Sequence, residues 1–304
     1  FFDGFHRGHL RVLESAKRRA RELGGTAWVF TFDPHPSCIL RPDEAPALLM
    51  SNAQRNEYAG FLGMDGCVSM PFDMALAAQS PRDFVAHLTE AMPSLRHIAA
   101  GGQWRFGHQR TGHVQLLSEL GLVSGFTVEG VDAVSYEGAP ISSSRIRDCV
   151  GQGQLAAAES MLGRPFGLRG RVVTGQKLGR ELGYPTANLD VATGVFPPFG
   201  IYAVRAVVKG RVCDGVVSYG RRPTVAEVDA PAVLELHIFD FSETLYGEEV
   251  DVYFYARIRD EMTFSGLEAL AERIRLDCQE ARAALRSKMA KNAFTSRPQP
   301  YIVR

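Results

Sequence analysis

The hydrophobic period of this chain changes part-way along its 304 residues, and one layer type cannot satisfy both periods. In the first half, stretches at helical spacing alternate with short apolar runs. "HLRVLESAKRRARELGG" sets Leu10, Leu13 and Ala20 on one face, charges on the other, and Gly24-Gly25 as its stop. "TAWVFTF", "GCVSMPFD" and "RHIAAGG" read as strands, "SPRDFVAHLTEAM" and "TGHVQLLSELG" as helices. Strands alternating with helices predict a parallel α/β sheet. Ligands then sit beyond the carboxyl ends of the strands, where "DPHP" and "GGQWRFG" fall.

The second half changes to period two. In "VDVYFYARI", Val250, Val252, Phe254, Ala256 and Ile258 face one way, and Asp251, Tyr253, Tyr255 and Arg257 the other. "IYAVRAVV", "VCDGVVSYG" and "AVLELHIFDF" are further strands, so an antiparallel barrel or sandwich is expected. A helix closes it, with Leu267, Leu270, Ala271, Ile274, Cys278, Ala281 and Leu285 at helical spacing. The boundary is expected at the Gly/Pro-rich "LGRPFGLRG", giving residues 1–163, 164–286 and a loosely ordered tail, 287–304. The 34 basic and 34 acidic residues balance, so no global field favours nucleic acid or an anionic membrane, and no apolar run reaches membrane-spanning length. Five scattered cysteines without a CxxC read as reduced thiols of a cytoplasmic protein.

Two places carry chemistry. In "FFDGFHRGHL", His6 and His9 flank Arg7-Gly8 at a helix start, beside unpaired backbone N–H groups and a positive dipole end. Gly8 lets an anion approach closely, so the cluster suits phosphate. "ISSSRIRDCV" repeats the idea, with Ser142 to Ser144 ahead of Arg145 and Arg147. By itself each is also an ordinary helix cap. The second place is "GRVVTGQKLGRELGYPTANL". Gly175, Gly179 and Gly183 with Lys177 and Arg180 make a basic, backbone-exposed loop. Pro185 fixes the chain direction, and Thr186 and Asn188 offer neutral oxygens on one side of an extended segment, suited to Mg2+ carrying a nucleotide. An ordinary turn remains the alternative reading.

"FDGFHRGH", "TFDPHP", "LAAQSPRDFV", "RFGHQRTG" and "ISSSRIR" resemble, in order, blocks of the prokaryotic bifunctional riboflavin kinase/FAD synthetase (FMN adenylyltransferase) family. "GYPTANL", "GVVSYGRRPT", "LELHIFDF" and "LYGEEVDVYF" resemble the blocks of its kinase half. The resemblance implies an α/β Rossmann-like nucleotidyltransferase domain, then a Greek-key β-barrel riboflavin kinase domain with a C-terminal helix. It implies two activities with ATP, riboflavin and FMN as substrates and Mg2+ as cofactor. Riboflavin is phosphorylated to FMN, and FMN is adenylylated to FAD with release of pyrophosphate.

Residue by residue, the resemblance gives His6 and His9 to the triphosphate and Ser143 and Arg147 to its β/γ end, and it suggests Phe106 as a stacking surface for the flavin. In the kinase half it gives Lys177, Gly183, Thr186 and Asn188 to the nucleotide, the last two also to the metal, and Glu235 the role of catalytic base. Gln103 and Asp260 depart from the family's Asp/Asn and Pro. The family also carries an apolar strand ahead of the HxGH loop, whereas this sequence opens at Phe1 inside that loop. Two alternatives follow: a kinase with a weak adenylyltransferase half, or a non-catalytic flavin-binding protein. A tRNA-charging enzyme, which also uses HxGH, would bring a Lys-Met-Ser-Lys-Ser type loop and a basic surface, and the sequence contains neither.

Overall fold

The computed structural model describes residues 1–175, 178–192, 194–221 and 232–292. The chain divides into two compact units, Phe1–Arg145 and Ile146–Arg304.

In the first unit, α1 (Arg7–Leu23) leads to β1 (Trp28–Asp33), followed by the short α2 (Pro36–Leu40), α3 (Asn52–Phe61) and β2 (Gly66–Pro71). Then come the short α4 (Met74–Ala77), α5 (Pro81–Ala91) and β3 (His97–Gly101). The hairpin of β4 (Arg105–Phe106) and β5 (Gly112–His113), α6 (Val114–Ser124) and β6 (Thr127–Val131) follow. A small hairpin, β7 (Ser135–Tyr136) and β8 (Ala139–Pro140), ends the unit. The pairing is parallel as expected, in two ribbons: β1 with β2, and β3 with β6.

Helix ends are set locally. Ser51 and Gln54 form a reciprocal capping box on α3, and Gly24 and Gly125 close α1 and α6 in the left-handed conformation. Apolar faces collect into two clusters. Phe5, Leu13, Val29, Ala59 and Met64 form one, and Phe84, Val85, Leu88, Phe106, Leu117 and Phe126 the other.

The division between units falls within α7 (Ser143–Gly151), ahead of the boundary expected after residue 163. Burial is the reason. Ile146 and Val150 of α7 and Leu155, Ala158, Met161 and Leu162 of α8 (Leu155–Leu162) are all buried, and α8 packs on the barrel. The barrel strands are β9 (Gly167–Val173), β10 (Ala187–Asp190), β11 (Gly200–Val208), β12 (Arg211–Arg221), β13 (Ala232–Ile238) and β14 (Glu249–Arg259). A single turn, α9 (Leu178–Glu181), lies between β9 and β10. The strands close in the order β10-β13-β12-β11-β14-β9, antiparallel throughout. The jump from β10 to β11 across β13 and β12 makes this a Greek key.

Leu189, Tyr202, Val204, Val217, Leu234, Leu236, Val250, Val252 and Phe254 are buried on the inward face. The outer face carries α10 (Leu267–Asn292), whose Cys278, Ala281 and Leu285 pack on Ile201, Ala203, Val216, Phe239 and Tyr255.

Three details differ from the sequence reading. A register shift opposite Ala203/Val204 inserts an extra residue in β14, so the alternation reverses and Ala256 and Ile258 join the outer cluster beside Tyr255. Leu267 lies ahead of the barrel contact and is exposed. Finally, α10 continues through Asn292, past residue 287 where the tail was expected. Lys288 of that stretch pairs with the Glu159 carboxylate and donates to the Tyr255 carbonyl at 3.1 Å.

Candidate active sites

The loop ahead of α1 is built around Asp3. Its buried carboxylate accepts the backbone N–H of Leu49 at 2.9 and 3.0 Å and that of Met50 at 3.1 Å. Gly4 takes φ +80°, a conformation other residues adopt at a cost, which turns Phe5 into the core. His6 returns to extended backbone and caps α1, its Nδ1 accepting the His9 N–H at 3.3 Å. A neutral ring that accepts at Nδ1 carries its proton on Nε2. The His6 and His9 rings stack with centroids 3.6 Å apart and planes 17° from parallel. A Cβ on Gly8 would stand only 3.0 Å from the His6 ring, so residue 8 keeps the pair in place by being small.

The structure therefore brings His6 and His9 together at a helix start. It treats Ser143 and Phe106 differently from the sequence reading. The Ser143 hydroxyl donates to the Asp3 carbonyl at 2.9 Å, so its proton serves the fold. The donors that this helix start offers an anion are backbone N–H groups. Ser142 caps the helix, accepting the Arg145 N–H at 3.3 Å, and Arg147 lies further along α7. Phe106 is buried against Phe84, and Trp104 stacks on it at 4.8 Å and 15°. The half-buried Trp104, not Phe106, is the outer member of that stack. Gln103 is exposed beside it.

The second site lies on the outer wall of the barrel. Asn188 of β10 stands directly opposite Glu235 of β13, and Ser218 of β12 stands opposite Glu235 on its other side. Ser218 is two residues from Val216, which packs under α10, so this row faces outward. Asn188 is 6% exposed, and a Cβ on Gly175 would overlap its amide. Gly175 is what lets the β9 loop close over Asn188. Likewise a Cβ on Gly179 would stand 3.3 Å from the Thr186 hydroxyl. Gly183 adopts φ +83° in the turn before Tyr184. Lys177 lies outside the described residues. Asp260 pairs with Arg257 at 2.6 Å, and Arg257 donates to the Phe199 carbonyl at 2.7 Å.

One residue of this wall escaped the sequence reading. His237 shares the strand and the face of Glu235, and its Nδ1 lies 2.8 Å from the Pro185 carbonyl. Burial lowers its pKa, partly opposed by that carbonyl. The signal was present: His237 is two residues from Glu235 in an alternating strand.

As a metal site the donors are a hydroxyl, an amide oxygen and one nearby carboxylate, which suits a hard cation already bound by phosphates. No cluster of three or more His, Cys, Asp or Glu side chains that could hold a metal occurs among the described residues.

Known proteins resemble both units. The FAD synthetase family model matches residues 1–145 and the riboflavin kinase model residues 162–285. A bifunctional riboflavin kinase/FMN adenylyltransferase of Pseudomonas fluorescens is 38% identical over 282 residues, covering 93% of this chain and 90% of its own. The chain belongs to this bifunctional family. Family members from Escherichia coli K12 and Bacillus subtilis strain 168 are each 35% identical, covering 92% of this chain and 90% and 89% of their own. A crystal structure described as a macrolide-efflux protein from Streptococcus pneumoniae superposes with a TM-score of 0.81 at 31% identity, covering 91% of this chain and 90% of its own. No helix among the described residues is long and apolar enough to cross a membrane.

Proposed function

We propose that the chain makes both flavin cofactors from riboflavin, phosphorylating it to FMN on the barrel wall and adenylylating FMN to FAD at the His6/His9 loop. The observation that carries the kinase reading is the pairing of Asn188 with Glu235. Glu235 takes the proton of the riboflavin 5′-hydroxyl as that oxygen attacks the γ-phosphate of ATP, the bond from the γ-phosphorus to the bridging oxygen breaks and ADP leaves. Thr186 and Asn188 would hold Mg2+ on the nucleotide, where it would supply neutralisation of phosphate charge. The loop of Gly175, Gly179 and Gly183 suits the phosphates, and the family resemblance gives Lys177 to them as well.

In the other unit the FMN phosphate attacks the α-phosphate of ATP and pyrophosphate leaves. His6 and His9 act by charge and hydrogen bonding toward the transferred phosphorus, with no covalent intermediate. Arg147 and the α7 start serve the β/γ end, and the Trp104–Phe106 stack serves the flavin. The setting is cytoplasmic, in keeping with five cysteines that form no disulfide, and the partners are small molecules, not nucleic acid or membrane.

Incubating the protein with riboflavin, ATP and Mg2+ and resolving FMN from FAD by chromatography tests the whole reading. Formation of FMN and then FAD is expected. Riboflavin left unchanged would overturn the kinase assignment, and accumulation of FMN alone the adenylyltransferase one.

A further inference from the structure

Pro185 creates a local problem that the fold solves with a side chain. It has no N–H, and the β10–β13 ladder begins only at Ala187, paired with Leu236. Continuing that register would set Thr186 beside His237, but no ladder bond secures Thr186 or Pro185. The His237 imidazole reaches the Pro185 carbonyl at 2.8 Å instead. A carbonyl can only accept, so the ring donates from Nδ1–H. The ring is fixed from both sides, edge-on to Tyr184 with centroids 5.6 Å apart and to Phe239 at 5.7 Å. The segment bearing Thr186 is thus anchored downstream by the ladder and upstream by His237.

We infer that His237 is a positioning residue of the kinase site, holding Thr186 in register beside Glu235 so that the metal-nucleotide complex meets a preformed ligand pair. The inference rests on the reading of Thr186 and Asn188 as nucleotide-metal ligands. Glu235 and Asn188 are joined by ladder pairs that do not involve His237, so its loss should act on nucleotide binding before the proton transfer.

The test uses the full chain with His237→Leu and His237→Asn. An asparagine amide can present a donor close to where Nδ1 lies, whereas leucine fills the space without one. The Leu variant is expected to raise the KM for Mg·ATP about tenfold, within what one well-placed hydrogen bond supplies, with riboflavin KM and kcat changed by less than about threefold. The Asn variant should recover most of the nucleotide KM. Thermal melts of both variants, and their FMN adenylylation rates, report folding separately.

Unchanged nucleotide KM in the Leu variant overturns the inference. So does a fall in kcat alone, or a loss that tracks melting temperature and that Asn does not rescue. If the wild-type chain forms no FMN, the kinase reading fails first. Should wild type turn over and the Leu variant match it, only the role of His237 is lost.

Discussion

Asn188 and Glu235 are direct partners across the β10–β13 ladder, with Ser218 completing the row on the next strand. On the proposed reading, the metal ligand and the base are therefore spaced by the sheet itself, not by loop conformation. Glu235→Gln keeps the shape and removes the carboxylate proposed as the base. Riboflavin phosphorylation is expected to fall by about 100-fold or more, the range positioned bases supply, with FMN adenylylation little changed. Steady-state assay of each half-reaction checks this, and near-normal kinase turnover would remove Glu235 from the chemistry.

Gly175 gives a sharper test of packing. A methyl group there would overlap the Asn188 amide, which is buried and has little room to retreat. Gly175→Ala should cost the kinase about tenfold or more, chiefly in nucleotide KM, as a small displacement of a ligand does. The melting temperature should move little, because Gly175 itself has no side chain in the core. Calorimetry alongside kinetics separates the two, and an Ala variant with wild-type KM would show that the loop yields.

His6 and His9 differ in what they do for the fold. His6 caps α1 with its ring, while His9 contributes only its backbone N–H to that cap. Either alanine substitution should slow FAD formation by roughly 100-fold. Only His6→Ala should also lose about 1 kcal/mol of helix stability, the usual worth of a cap. Denaturant melts of the two variants would expose equal losses if that distinction is mistaken.

A pH effect is expected in the first unit. His97 bonds the Thr127 hydroxyl at 2.7 Å, its Nε2 is buried with no partner, and burial, with Arg19 nearby, lowers its pKa from 6.5. The unfolded chain then takes up the proton more readily than the folded one. Stability is full above about pH 6.5 and declines as pH falls toward the folded value. Thermal melts at pH 7.5 and 5.5 should show the loss, and His97→Gln should shrink it. An undiminished pH dependence in that variant would assign the effect to another group.

Lys288, in the last turns of α10, makes a half-buried ion pair to Glu159 and a bond to the Tyr255 carbonyl. Lys288→Ala should destabilise the second unit by about 1–2 kcal/mol, since the partners left behind are partly desolvated. Limited proteolysis near the end of α10 should accelerate. Equal protection would mean that the apolar contacts of Ala281 and Leu285 hold the helix unaided.

What was legible in the sequence is what is local. The His6/His9 pair reads directly because three residues at a helix start are enough to juxtapose them. The barrel strands read from strict alternation, and the closing helix from Cys278, Ala281 and Leu285. Contacts between distant segments were not legible. Nothing in "PTAN" says that its asparagine lies opposite Glu235, or that Pro185 needs His237; the register supplies both. The burial of Phe106 was not legible, because a two-residue strand has no period from which to infer it. The residues after 286 misled because their anchor, Glu159, belongs to a helix much earlier in the chain. The reversal after Tyr255 turns on one inserted residue, which an alternating pattern does not reveal.

The barrel's two-sidedness has an evolutionary consequence. On β13 the even positions, Leu234, Leu236 and Ile238, fill the interior, while Glu235 and His237 stand on the outer wall. On the proposed reading, phosphorylation is carried out on the outside of a barrel whose interior is filled by these side chains. Selection on ligand preference can therefore explore the odd-numbered positions and the adjoining loop while the even-numbered ones go on specifying the fold, so a lineage can change what it phosphorylates without first becoming unstable.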